Sequence, residues 1–154
     1  MKKTLFKAAT CSSFNASWAD IHFLYQHQWI DCEEVKKYGD ACFKVDSNPL
    51  LSGLLWAENS TFDFEEALKG LSDQGIPHFK RIALIGFHDI WKAKKSFKET
   101  QSLIEELYSD CQYPEVIASF ISYMPAAKEG DFFLEENYEQ KMQEFIENIQ
   151  QHNN

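Results

Sequence analysis

At 154 residues, 44% apolar, with 13 Phe, 6 Tyr and 4 Trp, the chain is long enough to bury a core of its own, which excludes a disordered protein and a scaffold that needs staples to fold. Its 24 acidic and 15 basic residues give a formal charge of -9, which disfavours nucleic acid and anionic lipid as partners and favours a basic protein. Cys11, Cys32, Cys42 and Cys111 show no C-x-x-C pair and no zinc spacing, so reduced thiols are expected, with no metal and no cofactor.

The start Met1-Lys2-Lys3 has the charge of a leader, but Lys7 interrupts the adjoining segment and no long apolar run develops. No stretch approaches the ~20 apolar residues that span a bilayer. A cytoplasmic protein with no membrane association is expected. Residues 1–15 and 152–154 carry no clear periodicity and are expected to be less ordered.

Four pairs, Ser17/Asp20, Asp31/Glu34, Asp63/Glu66 and Ser96/Glu99, have the spacing of a capping box ahead of apolar residues at helical intervals. After Ser17, a helix over about 17–28 would bury Trp18, Ile21 and Leu24. A second, over about 32–43, turns Val35, Tyr38 and Cys42 inward and Glu33, Lys36 and Lys37 outward. Asn48-Pro49 opens a short buried helix through Leu50, Leu51, Leu54 and Leu55. Asp63 opens another, through Phe64, Ala67, Leu68 and Leu71, with Gly75 as a left-handed residue past its end.

Residues 78–92 are apolar nearly all round and read as a central helix, although 81–87, partly β-branched and broken by Gly86, could be a single buried strand. From Ser96, a helix turns Leu103, Ile104, Leu107 and Tyr108 inward. Pro114 begins a further helix with Ile117, Phe120, Ile121 and Met124 as its stripe, ended by Pro125. After an exposed loop at 128–131, the last helix, about 134–151, turns Leu134, Tyr138, Met142, Phe145 and Ile149 inward. The fold class expected is all-α, a compact single-domain array over 1–154 of about eight short helices.

No phosphate-binding loop, nucleophile elbow, H-E-x-x-H or EF-hand pattern occurs. His22 and His27 diverge on one helix and are poorly placed to share a metal. The acid–base candidate is His88 with Asp89, which would need a third group such as Cys42 or Cys111. The paired carboxylates are explained by helix starts and solvated faces. The aromatics follow core spacing throughout and give no base-stacking platform. Glu99, Glu106 and Asp110, with Glu135, Glu136, Glu139 and Glu147 of the last helix, form a candidate docking face for a basic protein; its best-placed members are Glu99, Glu106, Asp110, Glu135, Glu136 and Glu139.

The segment 102–125, SLIEELYSDCQYPEVIASFISYMP, resembles a family of small uncharacterised bacterial proteins in which I-E-E-I-Y-x-D-F-x-Y-P-E runs into F-I-x-Y-M-P. Upstream, Trp29-Ile-Asp-Cys-Glu-Glu-Val35 is similar to that family's W-I-x-x-x-x-[IV]. Cys111 stands where the family usually has Phe, and Ser122 where a basic residue is frequent. Members resemble immunity proteins of bacterial polymorphic toxin systems. The resemblance implies a non-enzymatic protein that neutralises a cognate toxin by direct contact, its partner a basic bacterial toxin domain. The rival readings are a small-molecule-binding or hydrolytic domain using His88 and Asp89, and a self-associating structural domain. The sequence assigns no oligomeric state.

Overall fold

The computed structural model describes residues 5–43, 48–73, 75–121 and 135–153, with the side chains of 135–136 and 151–153 left out of the description. Among the described residues there are eight α-helices, one 3-10 helix and no strand, so the class is all-α. Packing divides the chain into two units, residues 1–78 and 79–154.

The first unit holds α1 (Ala8–Ser13), α2 (Trp18–Gln26), α3 (Cys32–Phe43), α4 (Pro49–Trp56) and α5 (Phe62–Ser72). The Ser17/Asp20 box forms in full: the Asp20 N–H donates to Ser17 Oγ at 3.2 Å and the Ser17 N–H to Asp20 Oδ2 at 3.0 Å. At α3 only half of the expected box forms. Asp31 Oδ1 accepts from the Glu34 N–H at 2.9 Å, but Glu34 does not reach back; its Oε1 accepts the Ala8 N–H of α1 at 3.0 Å. Asn48 and Pro49 start α4 as their types predict. The expected Asp63/Glu66 box is replaced by Thr61, whose Oγ1 accepts the Phe64 N–H at 3.3 Å, so α5 starts one residue before Asp63.

Residues 5–15 are more than a tail, since Phe6 is fully buried and stacks on Trp29 at 4.8 Å with the ring planes 11° apart. Ile21, Leu24, Val35, Leu51, Leu54, Phe64 and Leu68 of this unit are also fully buried. Gly75 does not take the left-handed conformation expected of it. Asn15, Gln28 and Gln112 do, with φ of 57°, 64° and 61°. Each closes a helix end, letting the next N–H reach back to Cys11, Leu24 and Tyr108 carbonyls at 2.9, 2.9 and 2.8 Å.

Glu34 ties α3 to α1 electrostatically. Burial alone would raise its carboxyl, but the Ala8 N–H and the Lys37 ammonium 2.9 Å away outweigh it and hold the pKa below the ordinary 4.5. A carboxyl depressed by folding stabilises the native state above its unfolded pKa, and that contribution is lost as pH falls through the folded value. Denaturant titrations between about pH 6 and about pH 3 should therefore show a shallower loss of stability in Glu34→Gln than in the native chain. Equal slopes would remove Glu34 as the cause.

The second unit holds α6 (Phe79–Lys92), α7 (Phe97–Asp110), a 3-10 helix (Glu115–Phe120) and α8 (Glu135–Asn153). Residues 81–87 are helical, which decides against the strand. Ile82, Ala83, Ile85, Phe87 and Ile90 are buried on α6, and Leu103, Ile104, Leu107 and Tyr108 on α7, as the periodicity requires. The helix expected from Pro114 through Met124 is only a 3-10 segment, ended by an extended Ile121 (φ -100°, ψ 117°). Pro114 and that residue bracket six positions. Ile117, Phe120 and Ile121 still point inward. Met124, Pro125, the loop at 128–131 and Leu134 lie outside the described residues. Buried Phe87 and Phe120 pack with half-buried Phe145, with ring centroids 4.6 to 5.4 Å apart.

Candidate functional site

The first unit carries a groove of about 910 Å³. Its floor is built by α2, the start of α3 and α5. Tyr25 Oη donates to Glu65 Oε1 at 3.4 Å and accepts from Cys32 Sγ at 3.8 Å, and Cys32 Sγ lies 3.5 Å from Ser60 Oγ. Burial, then the bond with Cys32, pushes the Tyr25 hydroxyl up to about 12, so it is a neutral donor at physiological pH. His22 also lines the groove, with Nδ1 3.0 Å from Ser72 Oγ; burial lowers its pKa against the pull of Asp73. The walls carry Asp31, Glu65 and Glu66 against Lys69. Two of the lining residues, Gln28 and Ser60, hold left-handed backbone at φ 64° and 63°, a conformation that costs a non-glycine residue of order 1 kcal/mol or more.

Beside this groove the chain turns from α4 to α5, and there Trp56 is 88% exposed and Phe62 75% exposed. The expectation that every aromatic follows core spacing fails at these two, and also at Phe43 and Tyr113, which are less exposed than either. Ser60 belongs both to the groove and to this turn. Lys36 Nζ donates to the Ala57 carbonyl at 2.6 Å, Asn59 Nδ2 to Glu33 Oε1 at 2.6 Å and Thr61 Oγ1 to the Glu58 carbonyl at 2.7 Å. Large exposed aromatics next to polar ground are typical of protein contact surfaces. A signal was present in the sequence: the buried stripe of α4 runs through Leu51 and Leu54 and misses Trp56, and Phe62 lies about 200° around the helix from Phe64.

Comparison with known proteins places the whole chain. Residues 6–152 match the profile of a family described as an uncharacterised protein conserved in bacteria, DUF2247. The chain belongs to this family. No curated protein and no solved structure is significantly similar to it. The DUF2247 match covers both units, so the groove, the α4–α5 turn and the α7 face all fall within the family's extent.

In this DUF2247 chain the acidic face drawn from sequence is divided. Glu99 is exposed at the start of α7, where Ser96 caps the helix, its Oγ accepting the Glu99 N–H at 3.2 Å. Lys95 lies 4.0 Å from the Glu99 carboxylate. Glu106 and Asp110 are half-buried further along α7. Glu139 is exposed on α8, but it lines a cleft together with Lys94 and Lys95 and so shares its surroundings with two cations. Glu147 is exposed on α8 and accepts from Gln143 Nε2 at 3.2 Å. Glu135 and Glu136 start α8, and their side chains lie outside the description.

His88 Nδ1 and Asp89 Oδ1 do meet, at 3.1 Å, with the side chains 13% and 4% exposed. They sit in the packing of α6, and neither lines the groove of the first unit or the cleft beside Glu139. Of the two partners suggested for them, Cys42 lies on α3, and Cys111 is buried; burial, with Asp110 beside it, pushes the Cys111 thiol up to about 12, which leaves no thiolate at neutral pH. Cys111 borders a third concavity, with Phe79 and Pro114, which His88 and Asp89 do not line either. Among the described residues the cysteines form no disulfide, no group of three or more His, Cys, Asp or Glu could hold a metal ion, and no helix is long and apolar enough to cross a membrane.

Proposed function

We propose that this chain is a cytoplasmic binding protein that neutralises a cognate bacterial toxin by direct contact and catalyses no reaction itself. The observation that carries the reading is the exposure of Trp56 and Phe62 at the α4–α5 turn, next to a groove walled by Asp31, Glu65 and Glu66. Such residues supply the buried anchors of protein interfaces, and a formal charge of -9 steers a basic partner towards them. The face formed by Glu99, Glu106, Asp110 and Glu139 is the second acidic surface open to such a partner, and it is weaker because Lys94 and Lys95 stand among its members.

The test begins with the open reading frames adjacent to this gene, each expressed with and without the chain as a candidate toxin. Lethality alone and survival on co-expression are expected, with capture of the candidate by the purified chain. Trp56→Ala and Phe62→Ala should each weaken capture by about 30-fold, the effect of losing an interface anchor. If Glu106→Lys with Asp110→Lys abolishes capture while the aromatic variants bind normally, the contact surface is α7. A candidate that is harmless, or never captured, overturns the neutralisation reading. A concentration-dependent dimer that Trp56→Ala disperses would give the turn to a second copy of the chain instead.

A further inference from the structure

The second unit holds a cleft of about 350 Å³ between the end of α6, the start of α7 and α8, at the lower end of the roughly 300–1,000 Å³ range of small-molecule sites. We propose that it binds a small amphipathic monocarboxylate, with the carboxylate on Lys94 and Lys95 and the apolar body on Trp91, Phe97 and Met142. This inference does not rest on the toxin reading, whose leading contact surface, the α4–α5 turn, lies in the other unit.

Apolar and charged features of the cleft point the same way. Its floor is fixed, because Tyr138 and Met142 are buried, Phe97 meets the Tyr138 ring edge-on at 5.3 Å, and Tyr138 Oη donates to the Phe120 carbonyl at 3.3 Å. Its rim lies on the most basic stretch of an acidic chain: Lys92, Lys94, Lys95 and Lys98 fall within seven residues that contain no acid. Lys94 makes no ion pair among the described residues, and Lys95 reaches Glu99 only at 4.0 Å. Among the described residues Glu139 is the one carboxylate lining the cleft, and Glu99, outside it, pairs with Lys95, so Lys94 is the cation that a single added anion would meet first. Thr100 and Gln143 add polar atoms to the wall, and a polyanion would meet Glu139 as a like charge. A neutral apolar molecule would leave the lysines unmatched, and a cation would be repelled by them.

The probe is 3-phenylpropionate, titrated to roughly 10 mM against isotope-labelled full-length protein, with 3-phenylpropanol and 3-phenylpropylamine as its neutral and cationic counterparts. Saturable shifts are expected at amides of residues 91–100 and 138–143, with the alcohol about tenfold weaker and the amine weaker still. Lys94→Gln with Lys95→Gln, both exposed, should weaken the carboxylate about tenfold and leave the alcohol unchanged. Equal binding of acid and alcohol, no saturation by that concentration, or shifts confined to other elements would overturn the proposal.

Discussion

Asp20→Ala is expected to destabilise the first unit by about 3 kcal/mol or more, since hydrogen bonds to a charged group contribute roughly 1.5–3 kcal/mol each. Asp20 is fully buried, and two of its bonds have different ranges. Oδ2 accepts the Ser17 N–H at 3.0 Å and closes the start of α2, while Oδ1 accepts the His78 N–H at 2.8 Å, 58 residues away. Alanine removes both acceptors and leaves two backbone donors with nothing in place of the carboxylate. Asn keeps one acceptor oxygen, so Asp20→Asn should lose about half as much. Urea unfolding of the two variants checks this, and a loss in Asp20→Ala below about 1 kcal/mol would show that the donors find other partners.

Trp29→Ala should cost about 3–5 kcal/mol, the range for deleting a large aromatic from a packed core. Its side chain is fully buried against Phe6, and its carbonyl accepts the Phe6 N–H at 3.1 Å, so the indole and the backbone hold the same N-terminal segment. The cavity would open where α1 joins the rest of the unit. Trp29→Phe keeps a ring to stack on Phe6 and should cost well under half as much. If both variants unfold at the same denaturant concentration, neither the stack with Phe6 nor the cavity volume sets the loss, and the indole's own contacts carry it.

Much of this fold is legible because its helices are amphipathic and locally signed. Ser17, Asn48 and Ser96 cap where their side chains predict, and Leu103, Ile104, Leu107 and Tyr108 are buried where a 3.6-residue period puts them. What periodicity misses is set by distant parts of the chain. Glu34 has the spacing of a capping acid, yet Ala8 claims it; Phe6 precedes any periodic run, and Trp29 claims that. Helix ends are missed for another reason, because Asn15, Gln28 and Gln112 take the left-handed conformation that sequence reading reserves for glycine.

The candidate site is less legible than the fold. Acid count led to α7 and α8, where structure interleaves Lys94 and Lys95 with Glu99 and Glu139. Exposure of Trp56 and Phe62 depends on which side of two packed helices faces outward, and composition rewards burying such residues.

The turn carrying those two aromatics is held by the bonds from Lys36 to Ala57, from Asn59 to Glu33 and within Thr61 to Glu58. Most of the backbone entropy that a loop surrenders on meeting a partner has thus been surrendered already during folding. A contact made there starts from a preorganised platform, so differences in affinity among partners should arise in how slowly each one leaves.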